Sequence, residues 1–190
     1  MIEIKVYRRE EIPRSLYDKV ALLLQDAFSE RRAQGINFKC GLYSAEDVER
    51  DLAGGGNLLI AKDNEHIIGT VSLIERRKGR YSYASHDNLA VISNYKGKGV
   101  ASTLFKEVLR LAEKDDLDFI TSYTATNAES SVRYHLKMGF LIWSKSFGKG
   151  YNSYSFIYPL KSFRILRVAP IRWLFYGVKT SLGYIKKKLQ

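Results

Sequence analysis

The sequence predicts an α+β fold, on three observations. Strand-like and helix-like segments follow in the order β-α-α-β-β-β-α-β-α-β-β,. Neighbouring apolar runs are joined by turn-like stretches such as "KDNE" and "RRKGR", which makes hairpins,. The helical segments carry apolar residues at 3–4 spacing, so each has one face to bury.

Ile2 to Tyr7 alternates apolar and polar and reads as the first strand,. From Pro13 a helix places Leu16, Val20, Leu23, Leu24, Ala27 and Phe28 on one stripe, with proline suited to its start,. Ser44 and Asp47 make a capping-box-like start to a shorter helix ending near Gly54,. Leu58–Ala61 and Ile67–Ile74 form a hairpin, and a further strand runs from about Arg80 to Val91,. Val100, Leu104, Val108 and Leu111 mark a helix ending around Lys114,. "LDFITSYTA" is a buried-strand candidate, and "AESSVRYHLKM" a helix stopped by Gly139,. Leu141–Ser146 and Tyr151–Tyr158 are two closing strands around "FGKG".

At 190 residues the chain suits one domain with a proper core, and its 45% apolar content excludes a disordered class,. A single cysteine, Cys40, excludes an internal disulfide framework and makes the cytoplasm the expected compartment,. The N-terminus lacks an apolar core of signal-peptide length, and no run reaches membrane-span length,. The net charge of +11 is uneven: residues 161–190 hold eight Lys or Arg and no acid, leaving +3 for the rest. The expected division is therefore a domain over 1–160 and a basic tail over 161–190. No internal repeat is present.

"NYKGKGVAS", Asn94 to Ser102, joins a strand to a helix through two glycines. Such a turn offers backbone N–H groups and the positive end of a helix dipole to a phosphate. A P-loop needs four residues between its glycine and Gly-Lys-Ser/Thr, which Gly97-Lys98-Gly99 does not supply,. A dinucleotide fingerprint needs a third glycine, where Ser102 stands, and an early βαβ unit,. Both fail on spacing.

"LAVISNYKGKGVA" resembles the signature of the GNAT superfamily of acyl-CoA N-acyltransferases, with Lys96, Gly99 and Ala101 on its Q/R-x-x-G-x-G/A core. Lys96 replaces the usual Arg or Gln, and Ser93 the common proline. "SSVRYHLKMGF" matches the family's second motif at Ser131, His135, Lys137, Gly139 and Phe140. Asn127 stands one residue early, either through a local adjustment or as a helix N-cap,. The resemblance implies a three-layer fold around a mixed, mainly antiparallel sheet, and acetyl-CoA as donor without a metal. It implies that Gly97, Lys98, Gly99, Val100, Ala101 and Ser102, with Lys96, bind the cofactor's pyrophosphate. Leu89, Ala90 and Val91 would present backbone groups to the thioester and pantetheine, and Asn127 would reach the pantetheine arm.

The implied reaction is direct attack of an acceptor amine in a ternary complex, so Cys40 is not required as a nucleophile. It needs a base for the ammonium proton and a donor for the leaving thiolate. Tyr134 and His135 are the donor candidates, Tyr134 on chemistry and His135 on register; adjacent helical residues point about 100° apart. His86, Asp87 and Glu75 are base candidates, and alternation puts His86 and Asp87 on opposite faces. Acceptor choice is expected from Arg31, Arg32, Lys39 and Tyr43 after the first helix, and from Lys149 and Tyr151 in the closing hairpin. That basic, aromatic set suits a sugar bearing phosphate or carboxylate. The expected acceptor is a small-molecule amine, first an amino sugar of surface-glycan biosynthesis. The alternatives are a protein or peptide amine, or a CoA-binding regulatory module without turnover.

In the tail, Ile171, Leu174, Phe175, Val178, Leu182, Ile185 and Leu189 line one helical face, flanked by Arg172, Lys179 and Lys186,. A basic amphipathic helix of this kind fits an anionic membrane surface on the cytoplasmic side. Packing on the domain or on a second subunit of a homodimer is the competing reading. Charge at one end without a recognition motif argues against nucleic acid.

Overall fold

A computed structural model describes residues 2–36, 38–147 and 152–161. The proposed tail helix, with Lys149 and Tyr151, lies outside the described residues. No described helix is long and apolar enough to cross a membrane. The chain forms two compact units, the first ending at Leu117 and the second beginning at Asp118.

The first unit contains β1 (Ile2–Arg8), α1 (Arg14–Ala27), α2 (Ser29–Ala33), α3 (Ala45–Leu52), β2 (Asn57–Asp63), β3 (His66–Lys78), β4 (Tyr81–Val91) and α4 (Val100–Lys114). Its strands pair antiparallel in the order β1-β2-β3-β4. One sheet face carries Leu58, Ile60, Ile74 and Ala90, which pack with Leu16, Val20 and Leu24 of α1 and Val48 and Leu52 of α3. On the other face, a Cβ added to Gly69 would stand 3.1 Å from Val100 of α4 and 3.1 Å from the Ala90 carbonyl. A side chain at that position would require its neighbours to give by a few tenths of an ångström, so glycine lets α4 sit close on the sheet.

Pro13 occupies the N-cap of α1. The predicted capping box of α3 forms: the Asp47 N–H donates to Ser44 Oγ at 3.3 Å and the Ser44 N–H to Asp47 Oδ2 at 3.0 Å,. Helix α2 was not expected from the sequence, because five residues give no 3.6-residue stripe to read,.

The second unit contains β5 (Phe119–Ala125), α5 (Glu129–Lys137), β6 (Leu141–Phe147) and β7 (Asn152–Pro159). β7 pairs antiparallel with both β5 and β6 and lies between them. Gly139 follows α5 at φ 92°, the left-handed position that ends many helices,. The α+β class and the mainly antiparallel pairing are as expected.

Candidate active site

The approach to the glycine turn is held by two bonds. The Ile92 N–H donates to the Ile68 carbonyl at 3.0 Å, and the Tyr95 hydroxyl to Asp63 Oδ2 at the end of β2 at 2.7 Å. That bond is the first cause holding the Asp63 carboxyl below its ordinary range. The Lys98 ammonium sits 5.0 Å above the Tyr95 ring,. Gly97 and Gly99 have φ of 79° and 83°, and an added Cβ at either meets nothing within 4 Å. Glycine is therefore required by backbone conformation, over an open mouth. α4 starts without a side-chain cap, and Thr103 N–H to Gly99 O at 2.9 Å is its first bond. The first amides of a helix point out of its N-terminus, the end that suits an anion. Lys96 pairs with Glu30 at 3.0 Å, both well exposed.

The strand before the turn is irregular. Thr70 pairs with Ala90 and Ser72 with Asp87, so the single Val71 of β3 faces two residues of β4, Asn88 and Leu89. The extra residue makes a β-bulge, and Asn88 there adopts φ 56°,. Leu89, Ala90 and Val91 lie between this bulge and the glycine turn. The bulge interrupts the ladder where the sequence places backbone groups for a thioester.

His86 and Asp87 do lie on opposite faces. His86 pairs with Leu73, is 2% exposed, and meets Phe105 of α4 edge-on at 5.6 Å between ring centres. Asp87 shares the α1/α3 face with Ser72 and is half-buried. Burial pushes its carboxyl above the usual range and the nearby Asp51 carboxylate adds to the rise, against the neighbouring Ser85 hydroxyl and the charge of Arg76,. Glu75 is exposed, pairs with Ala84, and lines a separate cleft of about 590 Å³ with Arg110 and Lys114 near the C-terminal end of α4. The structure does not bring it to the glycine turn.

On α5, His135 is buried and Tyr134 half-buried. His135 Nδ1 lies 2.7 Å from the Ser131 carbonyl, which can only accept, so Nδ1 carries a proton,. Its Nε2 lies 2.8 Å from Ser122 Oγ, and the ring stacks on Phe156 at 4.5 Å. His135 thus fills the interior of its unit. Burial holds the Tyr134 phenol above its ordinary pKa, so it stays protonated at neutral pH. Asn127 is exposed and precedes Ala128, which occupies the N-cap with no side-chain cap bond. Its reading as the N-cap is thereby corrected.

Of the set expected to select the acceptor, Arg31, Arg32 and Lys39 have local partners. The Arg31 guanidinium lies over Phe28 and Phe38 at 5.8 and 5.6 Å. Arg32 donates to the Gly41 carbonyl and, at 3.2 Å, to that of Gln25. Lys39 lies over Tyr43, whose ring is in the core. Cys40 is half-buried, and burial pushes its thiol up to about 12, which suppresses the thiolate a nucleophile needs,. Sequence reasoning missed Tyr95, Asp63, Asp51 and Ser72, whose partners are set by tertiary packing and strand register; only the Asp-Asn pair at 87–88 hinted at a bulge.

The family described as Acetyltransferase (GNAT) matches residues 20–140, and the chain belongs to it. Its members are acyl-CoA N-acyltransferases that use acetyl-CoA, and the uncapped glycine turn fits that cofactor's pyrophosphate. The fold resembles that of yncA from Salmonella typhimurium, solved with its cofactor acetyl-CoA. The two are 15% identical with a TM-score of 0.64, over 85% of this chain and 96% of that one. A GNAT family acetyltransferase from Elizabethkingia anophelis, with acetyl-CoA bound, is 19% identical with a TM-score of 0.57, over 84% and 98%. A ribosomal-protein-alanine N-acetyltransferase from Brucella melitensis is 18% identical with a TM-score of 0.63, over 82% and 99%. Comparison with curated proteins found no sequence match.

Proposed function

We propose that the protein transfers the acetyl group of acetyl-CoA to the amine of a small molecule by direct attack in a ternary complex. The observation that carries this reading is the strand–bulge–glycine turn–helix of β4 and α4, with Gly97 and Gly99 left-handed over an open mouth. Bound acetyl-CoA supplies a thioester whose C–S bond breaks as the acceptor's C–N bond forms, with free thiol, amide and one proton as the other products.

The chain's own groups divide the remaining work. Amides from Gly97 to Ser102 hold the pyrophosphate, with Lys96 and Lys98 adding charge beside it. A backbone N–H among Leu89 to Val91 polarises the acyl carbonyl. Asp87, its pKa raised, takes a proton from the acceptor ammonium,. The Tyr134 phenol, held protonated, gives a proton to the leaving sulfur, and His135 holds its place from within the unit.

Among acceptors, an amino sugar of surface-glycan synthesis is the first choice; a peptide amine and a non-catalytic CoA-binding role are the alternatives. Thiol release from acetyl-CoA, followed with a panel of amino sugars, small amines and peptides, tests the reading. Acetyl-dependent release with a small amine supports it. Acetyl-CoA binding without release for any acceptor would leave the regulatory role instead. The tail after Pro170 is proposed to hold the enzyme on anionic membrane, near a lipid-linked acceptor,. Equal pelleting of the full chain and a 1–160 truncation with anionic vesicles would remove that part of the reading.

A further inference from the structure

The α1/α3 face of β4 next to the bulge is acidic. Asp87 stands there with Asp51 of α3, close enough for the second carboxylate to disfavour ionisation of the first. The Asn88 amide makes a long contact, 3.5 Å, to Asp51 Oδ2. Directly across the ladder from Asp87 is Ser72, 1% exposed, whose hydroxyl has no hydrogen-bond partner among the described residues. Residues paired across an antiparallel ladder share a face, with Cβ atoms about 4.5–5.5 Å apart. The Ser72 hydroxyl is therefore a buried polar group beside the Asp87 carboxyl, and such groups are ordinarily satisfied. Thr70, on the same face two residues earlier, is buried with its hydroxyl in the same state.

The neighbouring cations do not cancel this field. Arg31 and Lys39 lie over aromatic rings, and Arg32 is turned to backbone carbonyls. Arg76 lowers the Asp87 pKa less than Asp51 raises it.

We propose that Asp51, Asp87 and Ser72 form the acceptor's nitrogen subsite, and that they select a primary ammonium carrying no phosphate or carboxylate close to it. This rests on the acetyltransferase reading above and narrows it. An ammonium has three N–H donors and no acceptor, which matches two carboxylates and a hydroxyl. Its charge relieves the repulsion between the two acids, and charge-assisted bonds are the stronger ones. An anionic group near the same nitrogen would meet that pair of carboxylates and be repelled. The chemistry favours a free amino sugar or an alkyl diamine over a sugar phosphate or an α-amino acid.

The test is calorimetric titration of the full chain, first with acetyl-CoA and then, loaded with CoA, with 1,4-diaminobutane, glucosamine and glucosamine 6-phosphate. Glucosamine is expected to bind about tenfold or more tightly than its phosphate, roughly 1.4 kcal/mol. Asp51→Asn is expected to weaken 1,4-diaminobutane by a similar factor, while the acetyl-CoA isotherm stays as in wild type. Ser72→Ala, a smaller change on the same face, should weaken the amine in the same direction and covers the case of a misfolded Asp51 variant. Equal or tighter binding of the phosphate, no amine binding at all, or amine binding indifferent to both substitutions overturns the proposal. Failure to bind acetyl-CoA instead overturns the acetyltransferase reading beneath it. The two failures are thus read in separate titrations.

Discussion

Gly99 separates backbone strain from ligand exclusion. It is the N-cap of α4 at φ 83°, and a Cβ there touches nothing within 4 Å. An L-residue in the left-handed region costs about 1–2 kcal/mol, so Gly99→Ala and Gly99→Glu should lose similar stability. Binding should separate them. A carboxylate about 5 Å from one pyrophosphate charge, at an effective dielectric constant of about 20, costs roughly 3 kcal/mol, or on the order of 100-fold in affinity. Gly99→Ala, with one methyl in open space, should bind acetyl-CoA within about tenfold of wild type. Calorimetry of the two variants, with thermal melts as the control for strain, measures both terms. Equal affinity of the Glu and Ala variants, at equal melting temperature, would refute the cradle, because no anion would then sit over that turn.

Further expectations concern stability and reactivity. The Asp87 carboxyl is raised in the folded state, so folded protein binds that proton more tightly than unfolded chain; stability falls as pH rises through about 3.9 and levels off above the folded pKa,. Asp87→Asn should therefore melt higher than wild type at neutral pH, with the difference vanishing at lower pH, and lose turnover. A neutral-pH melt below wild type would contradict the assignment of the raised pKa. Ser122→Ala removes the hydroxyl 2.8 Å from His135 Nε2 and should cost about 1–3 kcal/mol in urea unfolding, with Ser122→Thr losing less,. Cys40, its thiol pushed up to about 12, should react with iodoacetamide far more slowly in folded protein than after denaturation. Rapid labelling of the native chain would show the thiol to be solvated.

What the sequence made legible follows from where the physics is local. Ser44 and Asp47 cap α3 because their partners are three residues apart, and the stripe of α1 lies within one helix. The glycine turn was readable for the same reason. The acceptor side was not: Asp51 and Asp87 meet through tertiary packing, and Ser72 joins them through strand register. The charges that did stand out, Arg31, Arg32 and Lys39, are absorbed by rings and carbonyls a few residues away. Register favoured His135 as the donor and chemistry Tyr134, and only burial shows which of them points inward.

The extra residue at Asn88 changes the parity of β4. In an unbroken strand, Asp87 and Ala90 would lie on opposite faces; with one residue added, both share the α1/α3 face,. The strand is two alternation frames spliced at one position, one carrying Asp87 and the other Ala90. Deleting Asn88 would leave Asp87 and Ala90 two residues apart, so a regular strand would keep both on the α1/α3 face with His86 still opposite,. A one-residue deletion would thus remove the break in the ladder and its left-handed residue while leaving every neighbouring side chain on its present face,.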